Sequence, residues 1–340
     1  MTGNAALTWL MSAVAGLAAG ASTAFAAGAD IGVPNSEDLA PSADGRWVFA
    51  GSMPGGPVTA GSLSVIDARS GKVRRLYPDA AATGRSTVDG CPAETRSFAP
   101  HGLALSPAGD RLYVVNHGGR ESIEMFQVVA GPSPSLRWIG CVVGPAGLDL
   151  NSVAATRDGT LFVTAIKLPA DLQDFPTTPG KVLTWRAASG WREVAGGEVI
   201  TPNGILATPD GATLYVDSYA PGEVIELTLG PSGAARRTVK LGFMTDNVRW
   251  GRRGMLTVAG QRAPFMDIAR CYQSKASVCD IASAMAEIDR ANFSVRCQRP
   301  ADLSFATTAV PVGAEIWLSS LRGDAIRRLG GDAFAKATCE

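Results

Sequence analysis

The sequence predicts an all-β protein, a six-bladed β-propeller, from a repeated pattern and its spacing. A tight glycine turn that leads into a β-branched and aromatic strand recurs along the chain, with strong copies at Ser42–Phe49, Ser106–Val115, Thr156–Val163 and Thr208–Val216 and weaker ones at Gly254–Val258 and Gly313–Leu318. A tight turn followed by such a strand is typical of a β-hairpin. The turn glycines, at positions 45, 109, 159, 211, 254 and 313, are spaced by about the length of a four-stranded blade with its loops. A β-sandwich, the alternative, would not repeat one signature at six near-regular positions.

Further strands are expected between these copies. They are Ser62–Ile66, Ser122–Val128, Lys181–Trp185, Glu223–Leu227 and Ala284–Ile288. Each is followed by a turn and another apolar stretch, which supplies the remaining strands of a blade.

Length and composition indicate one domain, residues 28–340, with a sizeable core. The chain has 340 residues, 46% of them hydrophobic, and its glycines and prolines are spread rather than gathered into a linker. Lys+Arg and Asp+Glu both total 31, and no basic cluster stands out. Nucleic acid is therefore excluded as an expected partner.

The first 27 residues are predicted to be a cleavable signal peptide. No charged side chain occurs from Ala5 to Ala27, Leu7–Leu17 is mostly apolar, and Ala24-Phe25-Ala26 matches the small-x-small pattern of a cleavage site. The n-region lacks Lys and Arg, which leaves a misassigned start or a retained N-terminal anchor as alternatives. No later apolar run approaches membrane-spanning length. The mature protein is expected to be secreted or periplasmic, without a transmembrane segment.

Six cysteines agree with export. Because they form an even set without Cys-x-x-Cys pairs, three disulfides are expected rather than a zinc site, with reduced buried thiols as the alternative. Six cysteines allow fifteen pairings. Cys91 and Cys141 each precede a motif residue by the same interval, which favours their pairing; Cys271–Cys279 would close a short loop, and Cys297–Cys339 would tie down the C-terminus.

Polar residues precede the repeats at a common phase. In a propeller, the segment that enters the innermost strand of each blade lies near the central channel. At this phase the first five copies carry Glu37-Asp38, His101-Gly102, Asn151, Asn203-Gly204 and Asp246-Asn247. We therefore expect these residues to converge on one axis.

The convergent residues predict a central calcium site. Glu37 and Asp246 offer carboxylates, and Asn151, Asn203 and Asn247 offer amide oxygens, an all-oxygen set that suits calcium. Each has a structural alternative when taken alone, as a turn dipeptide, a solvated loop or a strand cap. Their shared phase favours the metal.

The two histidines of the chain, His101 and His117, both belong to the second copy. A single histidine is more often a satisfied polar residue than a catalyst. Here one stands at the channel end of the motif and the other at the exit of the next strand, so we predict a coupled catalytic pair.

These motifs together carry a family resemblance, from about Glu37 to Ala259. The chain resembles the paraoxonase/arylesterase family of calcium-dependent lactonases, and more distantly the gluconolactonase and strictosidine-synthase propellers, which share the architecture but not the His motif. The residues concerned are Ser36-Glu37-Asp38-Leu39, His101-Gly102-Leu103, Val115-Asn116-His117, Asn151, Asn203-Gly204-Ile205 and Asp246-Asn247-Val248.

The resemblance implies a role for each of these residues. Glu37, Asn151, Asn203, Asp246 and Asn247 would bind the catalytic calcium, and His101 with His117 would handle the proton. Asp38 and the carbonyl of Leu103 would belong to a second, structural calcium. Ser152 replaces the family's Asp there, which predicts that this second ion is weak or absent.

The expected function is calcium-dependent hydrolysis of a small lactone or ester. The metal would polarise the carbonyl while the His dyad activates water, and the sequence contains no Gly-x-Ser-x-Gly elbow for a serine nucleophile. The alternatives are a non-catalytic propeller scaffold and a non-hydrolytic, strictosidine-synthase-like enzyme. Substrate choice is expected to depend on two loops, Lys167–Pro179 and Gln261–Ala284, the second forming a lid or wall pinned by Cys271–Cys279.

Overall fold

The computed structural model describes residues 28–78, 86–88, 90–335, 337 and 339. The predicted signal peptide, residues 1–27, lies outside the described residues. Among the helices that are described, none combines the length and apolar character needed to cross a bilayer.

The described chain is mostly strands, arranged in largely antiparallel sheets that follow one another in sequence. Four sheets have four strands each: β1 (Ser36–Pro41), β2 (Trp47–Ser52), β3 (Ser62–Asp67) and β4 (Val73–Tyr77); β5 (Pro100–Leu105), β6 (Arg111–Asn116), β7 (Ser122–Val129) and β8 (Ser135–Val143); β9 (Asp149–Ala155), β10 (Leu161–Ile166), β11 (Pro179–Arg186) and β12 (Gly190–Ile200); β13 (Pro202–Ala207), β14 (Thr213–Ser218), β15 (Glu223–Thr228) and β16 (Ala235–Lys240).

A seven-stranded sheet follows them along the chain. Its members are β17 (Met244–Trp250), β18 (Met255–Gln261), β19 (Ser283–Asp289), β20 (Ser294–Pro300), β21 (Ala306–Val312), β22 (Glu315–Ser320) and β23 (Arg327–Leu329). Within the described residues, two short helices interrupt the succession of strands, a 3₁₀ helix at Leu172–Thr177 and α1 at Phe265–Gln273.

The first strands of the successive groups close into a ring. In turn, β1 contacts β5, β5 contacts β9, β9 contacts β13, β13 contacts β17, β17 contacts β21, and β21 returns to β1. The strands β17 and β21 share one parallel pair, Asn247 with Thr308, which joins the last groups into the seven-stranded sheet. The all-β class and a propeller-like arrangement of sheets are thus confirmed.

The repeated turn glycines adopt the backbone conformation that the pattern requires. All six have positive φ, from 55° at Gly313 to 81° at Gly159, a region that costs glycine no steric clash. Beside them, side chains close the turn: Thr208 Oγ1 donates to Asp210 Oδ1 at 2.6 Å, and Ser42 Oγ donates to Asp44 Oδ1 at the same distance. The same type of glycine turn therefore recurs in each group of strands.

The hydrophobic core lies between neighbouring sheets. Phe49 and Leu63 of the first sheet are buried with Leu112 and Phe126 of the second, and the same interleaving recurs between the third and fourth sheets. Burial of such faces is the main stabilising term of the fold. It holds the first strands, and the side chains they carry, at fixed positions around the ring.

Three disulfides are present, and all three expected pairings are confirmed. Cys91 is bonded to Cys141, Cys271 to Cys279, and Cys297 to Cys339. The second of these closes the short loop that contains the end of α1.

Candidate active site and metal centre

Irregularities in the first strands aim the motif residues at the centre of the ring. The strands β1, β5, β13 and β17 each shift register at the motif, between Ser36 and Asp38, Pro100 and Leu103, Pro202 and Ile205, and Thr245 and Asn247 respectively. A β-bulge breaks the strict alternation of side chains and re-aims them. Adjacent residues such as Asp246 and Asn247 can therefore both approach the same site.

The glycines of the motifs let the first strands pack closely. A Cβ at Gly102 would lie 2.6 Å from the Cα of Ser152, and one at Gly204 would lie 2.7 Å from the Cα of Asn247. No such Cβ fits without backbone movement. The dipeptide Asn203-Gly204 lies inside β13 and so is not the turn that composition alone allowed.

One cavity of about 540 Å³ brings most of the predicted residues together. It is lined by Glu37, His101, His117, Asn151, Asn203 and Asp246. Asn247 is fully buried beside it and donates from Nδ2 to Glu37 Oε1 at 2.7 Å. Side chains that are far apart in sequence therefore meet at the centre of the ring.

Three oxygens in this cluster are buried without a hydrogen-bond partner among the described residues. They are Glu37 Oε2, Asn151 Oδ1 and Asn203 Oδ1. Buried polar atoms are nearly always paired, so unpaired acceptors point to a missing donor or cation. Because all three are hard oxygen acceptors of the kind calcium prefers, the residues present fit a calcium ion.

At the two carboxylates of the cluster, burial and neighbouring acids outweigh the effect of the nearby Arg249. Burial, then the neighbouring Asp38 and Asp246, hold the pKa of Glu37 well above its usual range. Burial raises the pKa of Asp246 to about 7, although a hydrogen bond from Gln261 Nε2 at 2.8 Å acts in the opposite direction. A bound divalent cation would favour the charged form of both groups.

Asn247 differs from the other predicted ligands in the direction of its amide. Its nitrogen faces Glu37, while its oxygen accepts from Arg249 Nη2 at 3.3 Å. To present its oxygen to a metal beside Glu37, the amide would have to turn over. Amide orientations are assigned from the surrounding hydrogen bonds. A cation at Glu37 would therefore favour the orientation in which the Asn247 oxygen faces Glu37.

Asp38 has a partner that the sequence reasoning missed. Its carboxylate forms a buried ion pair with Arg249, whose Nε donates to Oδ1 at 3.0 Å, and it also accepts from Leu39 N and Leu103 N at 2.7 Å. Leu103 thus offers Asp38 its N–H rather than its carbonyl. Where the resemblance implied a structural calcium at Asp38 and Leu103, the structure has a guanidinium, which satisfies the carboxylate with a positive charge from the chain itself.

The two histidines are hydrogen-bonded to each other. His101 Nδ1 lies 2.8 Å from His117 Nε2, and His101 Nε2 lies 3.7 Å from Glu37 Oε1. Burial, and secondarily His117, lower the pKa of His101 to about 3. The ring is therefore neutral at ordinary pH and has a lone pair available for a proton.

Sequence reasoning also missed Glu121, which extends the histidine pair. Its Oε2 lies 2.8 Å from His117 Nδ1, on the side away from His101. Glu121 lies in the loop between β6 and β7, two residues after the second of two glycines. Its i+4 spacing from His117 was the available signal.

The mouth of the cavity is bordered by both loops that were expected to select the substrate. Phe175 of the 3₁₀ helix stacks on Phe265 of α1, with ring centroids 4.9 Å apart and an interplanar angle of 11°. Ile268 and Tyr272 of α1 also line the cavity. The two loops therefore meet over the site and present it with an apolar edge.

Comparisons with known proteins agree with this architecture. Residues 53–247, more than half of the chain, match the model of the SMP-30/gluconolactonase/LRE-like region family. Among curated proteins, no match was found. The matched family is the more distant of the two that the motifs resemble.

Solved structures of low sequence identity share the fold. A luciferin-regenerating enzyme has 13% identity and a TM-score of 0.56, over 88% of this chain and 92% of that one. A gluconolactonase from Xanthomonas campestris has 16% identity and a TM-score of 0.55, over 90% of this chain and 98% of that one. The calcium-binding protein regucalcin from Agrobacterium tumefaciens has 10% identity and a TM-score of 0.53, over 89% of this chain and 94% of that one. Together with the family match and the ring of sheets, these likenesses lead to one conclusion: the chain belongs to the SMP-30/gluconolactonase/LRE-like family.

Proposed function

We propose that this protein is a calcium-dependent hydrolase of lactones or related esters. The observation that carries the proposal is the set of buried, unpartnered oxygens of Glu37, Asn151 and Asn203 beside His101 in one cavity. A metal site and a neutral base in the same cavity suit attack by water on a carbonyl. The family match and the gluconolactonase of similar fold favour a lactone over an open ester.

We further propose that the ring has six blades around a central calcium site. The seven-stranded sheet divides into β17–β20 and β21–β23, linked by the single pair Asn247–Thr308. Ile31 pairs with Ile326 just before β23, so the N-terminal segment contributes to the last blade. This division supports six units, one for each repeated turn glycine.

The residues of the cavity have distinct roles in this proposal. Glu37, Asn151, Asn203 and Asp246 would hold the calcium, joined by Asn247 once its amide turns. When bound, the ion supplies Lewis-acid polarisation of the substrate carbonyl. His101 Nε2 takes a proton from the attacking water and returns it to the leaving alkoxide, and His117 supports the ring through its Nε2, which is hydrogen-bonded to His101 Nδ1. No serine nucleophile is required.

The cavity wall supports an uncharged substrate with an apolar substituent. Beyond the polar cluster, the lining is largely apolar: Leu150, Ile166, Leu172, Phe175, Phe265, Ile268, Phe305 and Leu321. Neither Lys nor Arg lines this cavity in the described part of the chain. Apolar walls with a few placed polar groups are typical of sites for small apolar ligands.

A substrate screen tests the proposed function. The protein would be assayed against aliphatic γ- and δ-lactones, acyl-homoserine lactones, sugar lactones and phenyl acetate, with and without calcium. We expect turnover of lactones that requires calcium and is fastest for those with apolar substituents. A binding scaffold, or a non-hydrolytic enzyme, would turn over none of these compounds under either condition.

The lid residue Phe265 is expected to set the ranking of substrates. In Phe265→Ala the stack with Phe175 is lost, and discrimination between long and short acyl chains should fall by about 1–3 kcal/mol, the usual worth of an apolar contact. Met266→Ala is the control, because Met266 is 39% exposed. Relative kcat/KM across a homologous lactone series measures the effect. Uniform slowing of every lactone, with an unchanged ranking, would instead assign Phe265 to the support of the fold.

We also propose that the protein is secreted or periplasmic. The three disulfides support this location, because disulfides persist in oxidising compartments and are rare in a reducing cytosol. Mass spectrometry of the mature protein tests it through the N-terminus: cleavage after residue 26 or 27 is expected, and an intact Met1 in exported protein would contradict the predicted signal peptide.

A further inference from the structure

We propose that Glu121 is a positioning residue that fixes the tautomers of both histidines and thereby aims a lone pair into the cavity. The inference deepens the proposed function and rests on it. Its basis is a continuous chain of contacts, from Glu121 Oε2 to His117 Nδ1 at 2.8 Å and from His117 Nε2 to His101 Nδ1 at 2.8 Å. The far end of this chain is His101 Nε2, beside Glu37.

The proton positions along this chain follow from the chemistry of its members. An ionised carboxylate only accepts hydrogen bonds, so His117 must carry its proton on Nδ1. In a neutral imidazole the other nitrogen is then an acceptor, so His117 Nε2 accepts from His101 Nδ1–H. The proton of His101 is therefore on Nδ1, which leaves the lone pair of Nε2 directed toward the cavity. Glu121 determines this outcome although it lies two residues away in the chain of contacts.

Glu121 is itself held in place from the next sheet. Its second oxygen, Oε1, accepts from the backbone N–H of Leu150 at 2.7 Å, at the start of β9. Both carboxylate oxygens are thus committed, and the side chain is only 24% exposed. These contacts give Glu121 a fixed geometry as well as a charge.

Replacement of Glu121 by Gln makes a sharp prediction, because an amide has one acceptor and one donor end. The N–H of Leu150 needs an acceptor, so the Gln oxygen should face Leu150 and its NH₂ should face His117 Nδ1. His117 would then carry its proton on Nε2 and donate to His101 Nδ1. In turn His101 would carry its proton on Nε2, where it points a donor instead of a lone pair at the cavity.

The experiment reads the tautomers by ¹⁵N NMR of the imidazole rings in the full-length mature protein. The chain has only two histidines, so His117→Gln assigns both sets of signals. We expect Nδ1–H on both rings in the wild type and Nε2–H on both in Glu121→Gln. Asp149→Asn is the matched control, since it removes a nearby carboxylate whose pKa is raised by burial and by Glu121, and it should leave the tautomers unchanged.

Kinetics provide the second measurement. Glu121→Gln should lower kcat about 10- to 100-fold, as is typical when a group that orients a functional histidine is changed, with KM little altered. Unchanged tautomers, or an unchanged kcat after inversion, would overturn the inference. The NMR measurement needs neither substrate nor calcium. An inactive wild type would therefore overturn the proposed hydrolase, whereas an active wild type with unaltered tautomers in Glu121→Gln would overturn only the role of Glu121.

Discussion

His101→Gln is expected to lower turnover of a lactone substrate by about two to four orders of magnitude, the usual worth of a positioned general base. The reason is geometric: His101 Nε2 is the ring nitrogen that faces the cavity beside Glu37, and a glutamine there cannot accept and return a proton. Steady-state kinetics with calcium at saturation measure the effect.

The affinity for calcium separates this role from a structural one. Calorimetric titration of His101→Gln should give nearly the wild-type affinity, because the oxygen ligands lie on other side chains. His117→Gln should slow turnover less, since it removes support rather than the base itself. A loss of calcium binding in His101→Gln would reassign His101 to the metal site.

The second large effect is expected at Asp246, where replacement by Ala should abolish calcium-dependent hydrolysis. Asp246 is one of two buried carboxylates at the cavity, and burial raises its pKa to about 7, so a nearby cation would favour its charged form. Without it, calcium loses half of the negative charge that the predicted ligands supply. Glu37→Ala and Asn203→Ala should act in the same direction. Calcium affinity and turnover are to be measured on the same preparations.

Asp217→Asn is the matched control for the loss of a buried acid. Burial raises the pKa of Asp217 well above its usual range, and its Oδ2 accepts from Val248 N at 2.6 Å. An asparagine can keep that hydrogen bond, so both the fold and the calcium requirement should survive. Near-normal turnover by a folded Asp246→Ala variant would remove the metal-site assignment.

The fold was predictable because its information is local and repeated. Each turn glycine, such as Gly159 or Gly211, specifies a hairpin without reference to the rest of the chain, and all six have positive φ. The pairing of Cys91 with Cys141 followed from the same repeat. What the repeat could not show is the β-bulge in each first strand, since a register shift depends on how neighbouring strands pack around the ring.

The candidate site was predictable only in part, for a related reason. The common phase identified the residues that line the cavity, including Glu37, Asn151 and Asn203. It missed Arg249, because an arginine in a strand ordinarily indicates a solvent-facing position, and its burial here depends on Asp38, more than two hundred residues away in sequence. The amide orientation of Asn247 likewise depends on Glu37, a distant neighbour that no local pattern shows.

The most direct test of the calcium-dependent hydrolase is a calcium titration into metal-free protein, followed by calorimetry and by lactone turnover in parallel. We predict one ion per chain, because Arg249 already satisfies Asp38, and a rise in turnover that follows the binding curve. In a double variant, Asn151→Leu with Asn203→Leu, both the heat of calcium binding and the calcium-dependent turnover should be lost while the fold persists. Full turnover of a lactone by protein that has no bound calcium would contradict the account.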